Sequence, residues 1–298
     1  MHIVDGKAPE VILVTGGAGY IASHCSVLLL EAGYEVVIVD NLCNSSQEAL
    51  IRVADIAGRP LRGFYQVDLL DSAALEAVFQ SHPFSAVIHF AGIKAVGESV
   101  KEPLRYYHNN ITGTLNLLQC MRKFRVRTLV YSSSATVYGE PSETPILETA
   151  EIRPTSPYGR TKAMIEQIIM DVTEVEGWQS VILRYFNPVG AHPSGRLGEA
   201  PQGVPNNLMP YLAQVAVGNL EKITILGSDY STRDGTGIAA NALTFLTMNR
   251  NTRLHPCHGS LSRTSGGPPS RSWRSRAGQD IQSGHRRGIY RERDDFGV

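Results

Sequence analysis

Val11-Ile12-Leu13-Val14-Thr15-Gly16-Gly17-Ala18-Gly19-Tyr20-Ile21-Ala22 is the stretch that decides the fold of this chain. Its first four residues form a short apolar run, as a buried strand requires. Gly16 and Gly19 then let the backbone turn tightly and approach a pyrophosphate at a helix N-terminus, and a helical pattern continues through Ala32. Ala22 stands at the third small position of the dinucleotide-binding pattern, which sets only helix–strand packing. A glycine-rich loop alone is weak evidence; its weight here comes from strand, loop and helix arriving in this order.

Outward from that loop, the βα pattern repeats. Residues 35–39 predict a second strand, ending in Asp40-Asn41. An acid there accepts hydrogen bonds from the ribose hydroxyls of NAD and repels the extra phosphate of NADP, whereas the plainer reading is a helix N-cap. A short strand over 63–67 ends at Asp68-Leu69, and an apolar strand over 86–90 leads into Ala91-Gly92-Ile93-Lys94-Ala95-Val96-Gly97-Glu98-Ser99. Tyr106-Tyr107-His108-Asn109-Asn110 opens or lies within a long helix running to about Lys123. Alternating strands and helices predict an α/β fold with a doubly wound parallel, Rossmann-type sheet. His89 and His108 read as structural histidines.

The chemistry concentrates in Ser132-Ser133-Ser134-Ala135-Thr136-Val137-Tyr138-Gly139 and Tyr158-Gly159-Arg160-Thr161-Lys162. The β-branched run over 128–131 places the serines at the C-terminal end of a strand, the edge where open α/β sheets bind ligands. Tyr158 and Lys162 are four apart at the start of a helical pattern, so they share a face. Alcohol oxidation by a nicotinamide needs a base for the hydroxyl proton. A phenol with a reference pKa near ~10 must drop by about 3 units, about 4 kcal/mol, to serve at neutral pH. An ammonium at about 4 Å contributes on the order of 4 kcal/mol at an effective dielectric of about 20, so Lys162 and a positive nicotinamide together suffice. A serine hydroxyl can hold the reacting oxygen. The competing reading is a solvated helix face, and the serine strand upstream argues against it.

Further on, a strand over 181–185 precedes Phe186-Asn187-Pro188. The segment 190–210, rich in Gly, Pro and Asn, reads as a loop lining a second ligand, followed by a helix over 211–218 and a strand over 223–226. The chain has 298 residues and a formal net charge of zero, which gives no electrostatic case for nucleic acid or an anionic membrane. The four cysteines have no paired spacing, so neither a metal site nor a disulfide framework is expected, and a reducing cytoplasm fits. Residues 1–10 lack the regions of a signal peptide, and no apolar run is long enough to span a bilayer.

From about residue 11 to 237 the chain resembles the UDP-glucose 4-epimerase family of extended short-chain dehydrogenase/reductases. The motifs that carry the resemblance lie over 91–99, 132–139, 185–188 and 205–210. It implies Tyr158 as the base, Lys162 as the holder of the nicotinamide ribose and Ser134 as the holder of the sugar 4-hydroxyl. NAD is the implied cofactor, contacted by Gly16, Gly19, Tyr20 and Ile21, then by Asp40, Asn41, Asp68 and Leu69. Phe90, Ala91, Gly92, Lys94, Asn109 and Tyr185 complete the implied NAD contacts. UDP-glucose and UDP-galactose are the implied substrates, held by Ser134, Ala135 and Thr136 and, later in the chain, by Asn187, Asn206, Asn207 and Leu208. The implied reaction is redox-neutral: hydride leaves sugar C4 for NAD, the 4-keto sugar turns over in the site, and hydride returns to the other face. The resemblance also implies a homodimer through the helices around 106–123 and 158–175. A sugar dehydratase typically carries Asp-Glu just after the serine run, where this chain has Ala135-Thr136. Epimerisation of another nucleotide sugar, or an NAD-binding protein without turnover, stays open.

After Gly237 the resemblance stops. The family continues Arg-Asp-Tyr-Ile-His-Val, whose Arg grips the diphosphate, while this chain reads Ile238-Ala239-Ala240-Asn241. Residues 251–298 hold nine arginines and no lysine. Residues 252–268, back-translated with permitted codons and read one base later, give Arg-Asp-Tyr-Ile-His-Val-Met-Asp-Leu-Ser-Arg-Gly-His-Leu-Ala-Ala. Residues 281–296 treated alike give Tyr-Asn-Leu-Gly-Thr-Gly-Ala-Gly-Tyr-Thr-Val-Asn-Glu-Met-Ile. Two matches in one frame and in order imply an insertion over about 238–251, such as a retained intron, with out-of-frame sequence after it. The expected division is an NAD-binding domain over 1–187, a partial nucleotide-sugar-binding region over 188–237 and an aberrant, disordered tail over 238–298. The substrate-binding part is thus expected to be truncated or disordered.

Overall fold

Two runs of four residues show why this chain makes a buried parallel sheet: Val11 to Val14 and Val36 to Val39 are apolar on both faces, with no polar alternation. The computed structural model describes residues 10–224 apart from 142, 144 and 204, together with 227, 229 and the strand segments 243–245 and 260–263. The first half runs β1 Val11–Thr15, α1 Tyr20–Glu31, β2 Glu35–Asp40, α2 Gln47–Ala57, β3 Gly63–Gln66, α3 Ser72–Ser81 and β4 Phe84–His89. Then come α4 Val96–Lys101, α5 Pro103–Tyr106, a π-helical turn Tyr107–Thr112 and α6 Gly113–Lys123. The second half holds β5 Thr128–Ser134, a 3-10 turn Ala135–Tyr138, α7 Pro157–Glu176, β6 Gln179–Tyr185, β7 Asn187–Val189 and α8 Leu208–Ala216. Two later strands are described as backbone only, β8 Leu243–Phe245 and β9 Ser260–Arg263.

The sheet order is β3-β2-β1-β4-β5-β6-β9, with the first six strands parallel and β9 antiparallel on β6. This is the doubly wound arrangement expected from the sequence. Its topological switch lies between β1 and β4, where a crevice opens at the strands' C-terminal ends. Strand pleating splits the core in two. Leu13, Val37, Val87, Leu129 and Ile182 pack towards α3, α6 and α7, and Ile12, Val14, Val36, Ile38 and Ile88 pack towards α1 and α2. Each fully buried aliphatic contributes about 1.5–3 kcal/mol, so the two clusters fix the scaffold beneath the crevice.

Several bounds differ from the apolar runs that predict them. β5 continues through Ser133 and Ser134, because these pair with Arg184 and Tyr185 of β6; ladder pairing extends a strand past its apolar residues. The long helix ending at Lys123 is one helical run with a π turn inside it, over Tyr107–Thr112. The helix expected over 211–218 starts at Leu208, since Asn207 serves as its N-cap residue. The strand expected over 223–226 is not found at Ile223 and Thr224, and 225–226 lie outside the described residues. Within 238–298 only β8 and β9 are described; the rest of the expected tail lies outside the described residues.

Candidate active site

The first turn of α7 places the reactive phenol. Ser156 caps the helix by accepting from the Gly159 amide at 3.1 Å, and Pro157 presets the first helical residue. Tyr158 follows, buried, at the positive end of a helix of 20 residues. Gly159 matters for space rather than φ: a Cβ there would lie 2.8 Å from the Thr136 carbonyl, so only glycine lets α7 close on the 3-10 turn. That approach brings Tyr158 into hydrogen bond with Ser134. Ser134 Oγ accepts from the Thr136 amide at 3.2 Å and its hydroxyl at 3.0 Å, which leaves the serine proton to be donated to the phenol.

Lys162 lies one turn further along α7. Its Nζ donates to the Ser132 carbonyl at 2.8 Å and lies 4.9 Å from the Tyr131 ring centroid and 5.9 Å from that of Tyr158. Burial lowers its pKa to about 8, against an opposing pull from Glu166. The drop in the Tyr158 pKa anticipated from the sequence is not met by the protein's own groups. Burial raises Tyr158 to about 12, and the Ser134 hydrogen bond alone works downward. The ammonium is engaged with Ser132 rather than set against the phenol oxygen.

The glycine loop sits across the crevice. Gly16 adopts φ of 66°, and a Cβ there would meet the Ala91 backbone nitrogen at 2.7 Å, so only glycine permits β1 and the 90–91 segment to approach this closely. Asp40 is buried and braces the loop, accepting from the Ala18 amide at 3.0 Å, the Leu42 amide at 2.8 Å and Ser45 Oγ at 2.9 Å. Asn41 donates to Asp68 at 2.8 Å, which ties the ends of β2 and β3, and the Leu69 carbonyl accepts from Asn116 at 2.8 Å. α1 begins at Tyr20 after Gly19, with no side-chain cap and no acid in its first turn. Its leading amides, Tyr20 and Ile21 among them, therefore present donors and positive dipole to the crevice. A small-residue cradle, uncapped helix amides and a carboxylate at the end of β2 are the donor and acceptor set that a dinucleotide requires.

On the far side, the Phe90 amide donates to the Thr15 carbonyl at 3.0 Å, and Gly92 packs 3.2 Å, from a notional Cβ, to the side-chain oxygen of Asn110. Asn110 is the residue the sequence reading missed beside Asn109. From the π turn it accepts from the Ile93 amide at 3.0 Å and donates to the Ile93 carbonyl and Thr161 Oγ1, both at 3.1 Å. Asn109 itself donates to Asn110 at 3.0 Å. π turns commonly mark functional positions, and that was the one available signal, though invisible in residue types. His89 is structural as expected. Thr114 gives its proton to the Asn110 carbonyl, so it accepts from His89 Nε2–H, and Nδ1 accepts from Thr15. Burial, then the Lys162 charge, lowers its pKa to about 3.

Among the expected substrate residues, Ala135 and Thr136 form the 3-10 turn beside Tyr158. Tyr185 ends β6 beside Ser134. Asn187 opens β7 and is exposed, as are Asn206 and Leu208. Asn207 donates to Glu199 at 2.7 Å, and Glu199 also pairs with Lys94 at 2.9 Å, so a strap joins the 190–210 loop to the 91–99 segment. The structure brings Ser134, Tyr158 and Lys162 together and links Lys94 with Asn207; it records no contact between these two groups.

Similarity to known proteins agrees with this geometry. Residues 12–239 match the model of the NAD dependent epimerase/dehydratase family. The chain is 59% identical over 228 residues to a UDP-glucose 4-epimerase of Bacillus subtilis, covering 76% of this chain and 67% of that protein. It is 60% identical over 240 residues to one from Schizosaccharomyces pombe, covering 79% and 67%. The crystal structure of the Bifidobacterium longum UDP-glucose 4-epimerase in complex with NAD+ and UDP superposes with a TM-score of 0.74 at 53% identity, covering 76% of this chain and 68% of that one.

Proposed function

The chain belongs to the NAD-dependent epimerase/dehydratase family, and from that membership we propose that it interconverts UDP-glucose and UDP-galactose through a 4-keto sugar. The observation that carries this reading is the meeting of the Tyr158–Ser134 hydrogen bond with Lys162 at the C-terminal end of β5, in the same sheet edge as the glycine loop. NAD, when bound, supplies the hydride acceptor and a positive charge beside the phenol.

The roles we assign to this chain's residues are as follows. Gly16, Gly19, Tyr20 and Ile21 hold the pyrophosphate, and Asp40, Asn41, Asp68 and Leu69 hold the adenosine end. Phe90, Ala91, Gly92, Lys94, Asn109 and Tyr185 line the nicotinamide half, with Lys162 on its ribose. Ser134 orients the sugar 4-hydroxyl and Tyr158 takes its proton, then returns it. Ala135, Thr136, Asn187, Asn206, Asn207 and Leu208 hold the rest of the UDP-sugar.

A second reading, an NAD-binding protein with little turnover, is favoured by the family match ending at residue 239. On it, 1–187 is the cofactor domain, 188–237 a partial sugar-nucleotide region, and 238–298 lies almost wholly outside the family match. A homodimer is supported by large apolar side chains left exposed on α4 to α7, including Val100, Leu104, Leu115 and Met164. No described helix is long and apolar enough to cross a membrane. Cys25, Cys43 and Cys120 are free, which supports a cytoplasmic placement. Incubating the purified chain with UDP-galactose and following UDP-glucose tests the main reading. Conversion is expected, but much slower than in a chain that carries the family continuation after residue 237; NAD binding without any conversion would select the second reading.

A further inference from the structure

Two turns behind Tyr158, α7 carries a buried acid. Tyr158, Lys162 and Glu166 are spaced four apart, so all three face the sheet. Glu166 accepts from Ser133 Oγ and from Arg184 through Nε at 3.1 and 3.2 Å and Nη2 at 2.7 Å. Ser133 and Arg184 are register partners on β5 and β6, so both strands grip one carboxylate. Arg184 also donates from Nη1 to Tyr138 at 2.8 Å and to the Glu148 carbonyl at 3.3 Å. Both charged side chains are almost wholly buried, at 8% and 3% exposure. The cluster therefore ties together the serine strand, the 3-10 turn and the helix that carries Tyr158. Hydrophobic residues of similar volume often fill such a space at no loss of stability, so a buried ion pair is weak evidence of a purely stabilising role.

We propose that Glu166 is a positioning residue for the site: clamped by Arg184 and Ser133, its carboxylate fixes Ser132 and Ser134 in register with α7 and sets a negative charge one turn behind Lys162. The inference rests on the assignment of Lys162 to the site, not on turnover by this chain. The groups that face Lys162 are Tyr158 and Glu166 on its own helix, Tyr131 on β5 and His89 on β4. Tyr131 and Tyr158 are held neutral by burial, and His89 is neutral above about 3, so Glu166 supplies the negative charge. Its effect on Lys162 is upward, against burial.

The test is a proton titration of the full chain labelled with ¹³Cε-lysine, with Lys162 identified as the resonance lost in Lys162→Met. Glu166→Gln should lower the Lys162 midpoint by about one pH unit, a tenfold change in its protonation constant. Because a lone Arg184 charge weakens the fold, Glu166→Gln combined with Arg184→Gln is titrated beside it and should show the same direction of shift. Glu166→Asp, which keeps the charge, should restore most of the midpoint. A purely structural role would leave the Lys162 midpoint where it is in every folded variant. An unshifted midpoint in the double variant overturns the proposal, whether or not the chain turns over UDP-sugars.

Discussion

Tyr158 illustrates how burial and catalysis pull one side chain in opposite directions. Its phenol is held at about 12 by desolvation, while Ser134 donates to it and the α7 N-terminus favours negative charge. Removing the hydroxyl should leave packing intact and remove only the proton acceptor. Tyr158→Phe is therefore expected to lower epimerisation by about 10²–10⁴-fold with NAD affinity nearly unchanged, measured by coupled assay and cofactor titration. Near-normal turnover would remove Tyr158 from the base role. Lys162 makes the complementary case. Its pKa is lowered to about 8 from the ordinary 10.5, first by burial. Below about 8 the folded and unfolded chains are both protonated there, and the folded chain carries the full cost of a buried ammonium. Between about 8 and 10.5 the unfolded chain binds more protons, so this group's contribution to stability improves as pH rises. Lys162→Met should accordingly stabilise at pH 7 by up to on the order of 3 kcal/mol, with the gain fading towards pH 10. A Tm difference that stays constant across that range would contradict the buried-charge account. Asp40, at the end of β2, should make NAD bind more tightly than NADP; equal titration curves for the two would count against it.

At the scale of elements, the site depends on how closely α7 meets the 3-10 turn. Gly159→Ala offers a clean opposition of effects. Alanine favours the helix by about 1 kcal/mol over glycine, yet its Cβ would press on the Thr136 carbonyl from 2.8 Å. The expected outcome is little change in Tm and a fall in kcat of about 10²-fold, because a displacement near 1 Å suffices to misalign the phenol. Unchanged kcat would show that this contact does not place Tyr158. The same element explains what the sequence could and could not reveal. The strand–loop–helix of residues 11–31 and the spacing of Tyr158 and Lys162 are local patterns, and the structure places them as read. Ladder pairing of Ser133 and Ser134 is not local; it depends on Arg184 and Tyr185 of β6, far along the chain, and so extends β5 beyond its apolar run. Asn110 was equally hidden, since its role arises from a π turn that aims its amide at Ile93 and Thr161. The direction of the Tyr158 shift was missed because burial cannot be read from a single Tyr-x-x-x-Lys spacing, and it outweighs the Ser134 hydrogen bond.

For the whole molecule, the decisive fact is where family similarity ends. The match stops at residue 239, and about a third of the Bacillus relative lies beyond the aligned part. The part within the match contains the glycine loop, Ser134, Tyr158 and Lys162, so cofactor affinity should survive on its own. The resemblance implies an Arg for the diphosphate at this boundary, where this chain has Ile238-Ala239-Ala240-Asn241. A charge-assisted hydrogen bond of that kind contributes roughly 1.5–3 kcal/mol, or about tenfold to a hundredfold in binding. The prediction is thus asymmetric. Compared with a chain in which the one-base-shifted reading replaces residues after 237, this chain should bind NAD within about threefold but UDP at least about tenfold more weakly, with turnover reduced further still. Calorimetric titration of both chains with NAD and with UDP separates the two effects. The genomic sequence provides an independent check, since the shifted frame downstream of residue 251 must encode Arg-Asp-Tyr-Ile-His-Val. Equal UDP affinity in the two chains would mean that residues within the match hold the diphosphate unaided, and the assignment of that role to the missing Arg would fall.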